Sequence, residues 1–220
     1  MRSSRLKLAA LIVAQGLGLA LASTPGWAVF DEQKKGAEQK DAPAASPEAQ
    51  AALDAALSAV KAGDALAAGG TPGKLSADAK AAYTKARGKF GEATKADPKL
   101  AQAWNGLGYS SRKLGDYKAA LAAYDKAIEL RAGYPEATEY RGEAYLALNR
   151  IEDAKQAYLD LFAVNRELAD KLLESMKQWA ASPGKKKDGV ADLNDFIKER
   201  AQIASQTAAL TRESAAQGWN

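Results

Sequence analysis

The chain of 220 residues contains no cysteine and no histidine. Without cysteine it cannot form a disulfide, a thiolate zinc site or an iron–sulfur cluster. Without histidine it lacks the commonest general base and the commonest metal ligand. Together these absences exclude Ser-His-Asp catalysis and His-Glu-x-x-His zinc chemistry within the chain. They argue against an enzyme, and we expect no catalytic residues, no metal and no cofactor.

Aromatic residues are also scarce, at 7% of the chain, although hydrophobic residues make up 47%. Much of the hydrophobic share is alanine, which is the strongest helix former and one of the smallest side chains. A core built from such small side chains requires helices that approach closely. The composition therefore predicts an all-α protein.

The first 28 residues have the layout of a secretory signal peptide. Basic residues within the first seven positions precede an uncharged stretch at 8–22, and Gly26-Trp27-Ala28 ends in a small residue. The uncharged stretch has about 15 residues, fewer than the roughly 20 that span a bilayer. We expect cleavage after Ala28, with Ala22 as the alternative, and no stable membrane insertion afterwards.

Charge gives no sign of a nucleic-acid partner. The formal net charge is +4, and removal of residues 1–28 with their three basic residues lowers it to about +1. The only basic run is Lys185-Lys186-Lys187. A nucleic-acid-binding domain requires a larger basic patch, so we expect none here.

Between the signal and the first helix, residues 29–46 are rich in charge and poor in apolar side chains, which predicts a disordered linker. Ser46 and Pro47 then provide a helix N-cap and a first-turn proline. Leu53, Leu57 and Val60 follow at helical spacing, so a helix is predicted over 47–67. A glycine-rich loop at 68–73 ends it.

From Ser76 onward the chain repeats with a period of 34 residues. The shift superposes five columns of similar residues: Tyr83, Tyr117 and Ile151; Ala86, Ala120 and Ala154; Phe90, Tyr124 and Tyr158; Ala93, Ala127 and Leu161; and Leu100, Tyr134 and Leu168. Self-similarity at this period is typical of stacked helical hairpins, in which each unit buries its apolar faces against its neighbours.

Unit 101–134 shows how one hairpin is built. Its first helix carries Trp104 and Gly108, the Gly115-Asp116 turn follows, and the second helix has an apolar stripe at three- and four-residue spacing. Gly108 and Ala120 are small, so the two helices can approach closely. Tyr124 is predicted to face the next unit.

This unit resembles the tetratricopeptide repeat family, whose motif is Trp-x-x-Leu-Gly followed by Ala-x-x-x-Phe and a further alanine. The chain supplies Trp104-x-x-Leu107-Gly108, Ala120-x-x-x-Tyr124 and Ala127. Unit 135–168 keeps Gly142 and Ala154-x-x-x-Tyr158, and a partial unit covers 67–100. The resemblance implies a right-handed α-solenoid of helix hairpins over 47–182.

Two further helices are predicted beyond the repeats. Leu168, Leu172 and Met176 mark an amphipathic helix that ends at Ser182-Pro183-Gly184. A final helix at 189–217 carries apolar residues on one side and polar residues on the other. Such a helix can close the exposed end of a solenoid.

Members of the tetratricopeptide repeat family bind ligands in the concave groove lined by the first helices. The positions that correspond here are Gln102, Asn105, Gly106, Tyr109, Arg112, Lys113, Glu136, Glu139, Tyr140 and Glu143. Tyr109 and Tyr140 fall outside the packing columns, so they are predicted to be available to a partner. Some members hold the terminal carboxylate of a ligand with a Lys/Asn clamp. Here the carboxylates of Glu139 and Glu143 would repel such a terminal carboxylate, so we expect no clamp.

The resemblance implies a scaffold that binds another protein or peptide. The wider chain is similar to exported tetratricopeptide repeat proteins of Gram-negative bacteria, which implies a periplasmic location. Two alternatives stay open. Glu139 and Glu143, one helical turn apart, could act as an acid/base pair on an envelope polymer. The protein could instead be a structural envelope protein that associates with itself.

Overall fold

The computed structural model describes residues 45–69, 74–182 and 188–216, with side chains in the last range described as far as residue 207. These ranges contain eight α-helices and no strand: α1 Pro47–Ala68, α2 Ala77–Ala96, α3 Ala101–Lys113, α4 Tyr117–Leu130, α5 Pro135–Ala147, α6 Ile151–Val164, α7 Arg166–Ala181 and α8 Val190–Ala216. The predicted all-α helical repeat is confirmed.

Three predicted features lie outside these ranges: the signal peptide, nearly all of the linker at 29–46, and the basic run at 185–187. Among the helices of the described ranges, none combines the length and the apolar character needed to cross a bilayer.

The helices begin where short polar residues can cap them. The backbone N–H of Ala49 donates to Oγ of Ser46 at 3.2 Å, and Pro47 occupies the first turn of α1. The N–H of Ala119 donates to Oδ1 of Asp116 at 3.2 Å at the start of α4. Each cap satisfies a backbone donor that has no partner within the helix.

The helices stack as successive hairpins, α1 with α2, α3 with α4 and α5 with α6, and α7 packs against both helices of the last hairpin. The first helices also contact one another, α1 with α3, α3 with α5 and α5 with α7. Successive second helices contact one another less closely in the described ranges. The array is therefore curved, with the first helices on its inner side. We call the surface that they form the groove.

The repeat columns form the core, which confirms the repeat register. Most members of the columns that lie on the second helices are buried, among them Tyr83, Phe90, Ala120, Tyr124 and Ala154, whereas Tyr117 is partly buried. Two clusters of buried side chains result. One spans α1 to α5, and the other joins the end of α5 to α6, α7 and α8.

Glycine sets the separation of the helices in a hairpin. A Cβ added to Gly108 on α3 would lie 2.6 Å from Cδ1 of Tyr124 on α4. Real Cβ atoms do not approach other atoms so closely, so the ring of Tyr124 fits only because the side chain at 108 is absent. This confirms that small residues permit the close approach of paired helices.

The first hairpin takes its first helix from upstream of the glycine-rich loop. Helix α1 ends at Ala68, and its Leu53 and Val60 are buried in the same cluster as Tyr83 of α2. At the opposite end, Leu193 of α8 is fully buried and Phe196 contacts the ring of Tyr158 at 5.4 Å. Residues 201–207 of α8 are mostly exposed, so only the first part of this helix covers the end of the array.

Candidate functional site

Arg112 is the centre of the groove. Its guanidinium on α3 forms an ion pair with Glu143 on α5. It also lies 5.3 Å from the ring centroid of Tyr109 and 5.2 Å from that of Tyr140, within the range of cation–π attraction. The hydroxyl of Ser175 on α7 donates to Oε1 of Glu143 at 2.9 Å. One continuous set of polar contacts therefore joins three first helices.

The side chain of Arg112 is 17% exposed and that of Glu143 is 24% exposed. Burial by itself would lower the pKa of Arg112, but Glu143 acts together with Tyr124, Tyr109 and Glu139 to raise the pKa well above the ordinary value. The guanidinium therefore stays charged, and its charge is already balanced within the protein.

Asp64 on α1 closes one end of the groove. This buried carboxylate accepts hydrogen bonds from the hydroxyls of Tyr83 at 2.6 Å and Tyr109 at 2.7 Å. Burial and the charge of Asp64 raise the pKa of Tyr109 well above its usual value, so its hydroxyl remains a donor. Nζ of Lys113 lies 5.4 Å from the ring centroid of Tyr83. The pKa of Lys113 is lowered mainly by burial and also by the positive charge of Arg112.

Glu139 occupies the middle of the groove and is 6% exposed. Burial raises the pKa of this carboxyl well above the usual glutamate value, and the neighbouring Glu143 raises it further. Arg112 and Lys171 act in the opposite direction but do not cancel the effect. Glu139 therefore binds a proton far more strongly than an exposed glutamate.

Three polar atoms towards the N-terminal ends of α3 and α5 are buried without a hydrogen-bond partner among the described residues. They are Nε2 of Gln102, Oδ1 of Asn105 and Oε2 of Glu136. The amide Nδ2 of Asn105 does donate to the hydroxyl of Tyr134, at 3.4 Å. A buried polar atom without a partner costs about 1–3 kcal/mol, so this end of the groove is not satisfied by the protein itself.

The prediction that Tyr109 and Tyr140 are surplus to packing is wrong. They are 3% and 6% exposed and belong to the first core cluster. Their rings lie 5.2 Å apart, and Tyr140 also lies 6.2 Å from Tyr124. The columns miss them because the 34-residue shift aligns Tyr109 with Glu143 and Tyr140 with Gly106, so neither ring recurs one unit away.

Three further residues predicted to meet a ligand in the groove, Asn105, Gly106 and Glu139, are also buried. Asn105 is completely buried, and Gly106 is buried against Phe90. Glu139 is likewise buried. Gln102, Arg112, Lys113, Glu136 and Glu143 keep partial exposure. The structure adds residues that the sequence did not indicate, chiefly Asp64 and Ser175.

The charge pattern does not favour an acid/base pair. The carboxylate of Glu143 is held by Arg112 and Ser175, so it is not free to act with Glu139 as an acid/base pair. In the described part of the chain, no cluster of acidic side chains has an arrangement that could hold a metal ion.

Residues 101–134 match the family model of the tetratricopeptide repeat. This tetratricopeptide unit is the one formed by α3 and α4, which contributes Arg112 and Tyr109 to the groove.

One similar solved structure is the first tetratricopeptide domain of Spaghetti (RPAP3) bound to the HSP90 peptide SRMEEVD. That structure is 19% identical to this chain, with a TM-score of 0.48, and the match covers 62% of this chain and 96% of the other. No curated protein matches the sequence.

Proposed function

We propose that this protein is an exported scaffold that binds a partner protein or peptide in the groove. The observation that carries the proposal is the contact network through Arg112, which extends from Asp64 on α1 to Ser175 on α7 across four helices. It fixes the inner face of these helices, along which the polar side chains of Gln102, Lys113 and Glu136 stay partly exposed. The match of residues 101–134 to a repeat that mediates protein–protein interaction supports the same function.

The groove is fixed before a partner arrives. Arg112 lies between two buried rings and an ion pair, and Tyr109 is held by its hydrogen bond to Asp64. Binding to a preorganised surface loses less side-chain entropy than binding to mobile side chains. The partly exposed Gln102, Lys113 and Glu136 are the residues that meet the partner.

The proposed location is the periplasm. It is supported by the signal-peptide layout of residues 1–28. A partner would then be another protein of the cell envelope.

Site-specific photo-crosslinking in cells tests the proposal. A photoreactive amino acid replaces Gln102 or Lys113 in the groove, and matched variants carry it at Lys118 or Glu129, which are exposed on α4. We expect a specific crosslinked partner from the groove positions only. Crosslinks from the α4 positions alone would assign binding to the opposite face, and crosslinks only to a second copy would support self-association.

A further inference from the structure

The two halves of the groove differ in charge balance. In one half, the positive charges of Arg112 and Lys113 accompany the carboxylates of Asp64 and Glu143. In the other half, Glu136 and Glu139 form no ion pair or hydrogen bond to another described residue. Lys171 lies near enough to affect Glu139, but its amino group is paired with Glu167 at 3.1 Å.

The second half holds two carboxylates on one face of α5. Glu136 lies in the first turn, where the positive end of the helix dipole favours an acid. Glu139 lies one turn further on, where that effect has faded. A buried carboxylate without a cation or hydrogen-bond donors is costly. The cost at Glu139 points to a partner group that supplies positive charge.

Asn105 on the facing helix is an independent indication. Its side chain is completely buried, and its Oδ1 has no donor among the described residues. Tyr134, whose hydroxyl accepts the hydrogen bond from Nδ2 of Asn105, immediately precedes α5. Burial raises the pKa of Tyr134 most, and the charge of Glu136 raises it further. Asn105 is thereby connected, through Tyr134, to the start of α5, and its Oδ1 is a buried acceptor without a donor next to that connection.

We propose that Glu136, Glu139 and Asn105 bind a basic side chain, lysine or arginine, of the partner. A lysine ammonium offers three donors and a guanidinium offers five, which match an acceptor set of two carboxylates and an amide oxygen. Hydrogen bonds between ionised groups are the stronger class. The unpaired Nε2 of Gln102 can donate to a backbone carbonyl of the same segment. This inference rests on the proposed function, because it names the chemistry of the partner in the groove.

Such a partner changes the protonation of Glu139. Glu136 and Glu143 on its own helix raise its pKa, Arg112 on α3 and Lys171 on α7 lower it, and Tyr124 of α4 and the adjacent Tyr140 lie within its electrostatic reach. An arriving cation favours the ionised carboxylate. Binding therefore releases a proton, and affinity rises with pH while Glu139 titrates.

The test uses short synthetic peptides of alternating sequence, Lys-Ala, Glu-Ala and Gln-Ala, with the folded protein in isothermal titration calorimetry. We expect the Lys-Ala peptide to bind at least tenfold more tightly than the Glu-Ala peptide. Titrations in two buffers of different ionisation enthalpy should show proton release. Equal binding of all three peptides, or preference for Glu-Ala, would overturn the inference.

Variants assign the effect to residues. Glu136→Gln and Glu139→Gln keep the side-chain shape, and each should weaken Lys-Ala binding severalfold. In Glu139→Gln the proton release should also disappear. The matched control Glu129→Gln removes an exposed acid on α4 and should bind as the parent does. Equal losses in Glu129→Gln and Glu139→Gln would indicate nonspecific charge attraction and overturn the assignment.

The crosslinking experiment separates this inference from the proposed function. A partner that crosslinks at Gln102 but is captured equally by Glu139→Gln leaves the scaffold function standing and refutes the basic-residue site. Lys-Ala binding that depends on Glu139, without any crosslinked protein partner at Gln102 or Lys113, supports the site and refutes the scaffold function.

Discussion

At the scale of single residues, small side chains and buried acceptors determine whether the helices can pack as they do. Ala120 is completely buried in α4, in a core where Gly108 already admits the ring of Tyr124 at close range. Asp64 provides an acceptor shared by the hydroxyls of Tyr83 and Tyr109. Both positions therefore tolerate little change in size or polarity.

Ala120→Leu should overpack the hairpin. Inserting extra methylene groups into a packed core costs about 1–3 kcal/mol, so the midpoint of thermal unfolding should fall. Ala122→Leu is the control, because Ala122 is exposed on the same helix and should leave the midpoint nearly unchanged. An unchanged midpoint in Ala120→Leu would contradict the packing described here.

Asp64→Ala should destabilise the junction of α1 with α2 and α3. The change removes the acceptor from two buried tyrosine hydroxyls, and hydrogen bonds to charged groups contribute about 1.5–3 kcal/mol each. Chemical denaturation measures the loss. Asp54→Ala, at an exposed position of α1, should cost much less, and equal losses in the two variants would argue against a special role for Asp64.

At the scale of helices, α5 carries the largest electrostatic strain. Three of its glutamates face the groove, and only Glu143 is paired with a cation among the described residues. Between the usual glutamate pKa of 4.5 and the raised pKa of Glu139, the native state holds a proton that the unfolded chain has lost. Stability must therefore depend on pH through this helix.

Glu139→Gln should make the protein more stable than the parent at neutral and mildly alkaline pH. As pH rises above the usual glutamate pKa of 4.5, the unfolded parent loses its proton before the native parent, so the parent's free energy of unfolding falls. Glutamine does not titrate, so the variant is spared this loss.

Urea denaturation at several pH values measures the difference between Glu139→Gln and the parent. The gap should be smallest below pH 4.5 and grow until the native carboxyl has ionised. A gap that is constant with pH would mean that the pKa of Glu139 is the same in the native and unfolded states. Glu129→Gln again serves as the control and should show no such trend.

At the scale of the whole molecule, the described ranges form one curved array. The array begins with α1, which precedes the glycine-rich loop in the sequence, and α8 covers its far end. The groove needs α1, because Asp64 is its acceptor at that end. The unit that matches the tetratricopeptide model, residues 101–134, is therefore only part of the surface on which function depends.

The mature protein should begin near Val29. Intact-mass measurement of protein recovered from the periplasm should give a chain without residues 1–28. The layout of this segment resembles a cleaved signal peptide more than a membrane span, because its uncharged stretch is too short to cross a bilayer. A species that keeps Met1 and sediments with membranes would refute this expectation.

The sequence by itself determined the helices, the repeat register and the residues of the hairpin core. This was possible because each hairpin contacts mainly its neighbours, so a period of 34 residues in the sequence becomes a repeated contact in space. Tyr83, Phe90, Ala120 and Tyr124 could be recognised as buried because matching residues recur one unit away.

Only the tertiary structure decided which groove residues are free. Tyr109 and Tyr140 lie at positions that the repeat pattern leaves open, yet the stacking of α3 and α5 buries their rings against each other. Asp64 reaches Tyr109 across 45 positions of sequence, and α1 belongs to no complete repeat. The sequence could not indicate this contact, because Asp64 and Tyr109 lie in different hairpins and no repeat column relates them.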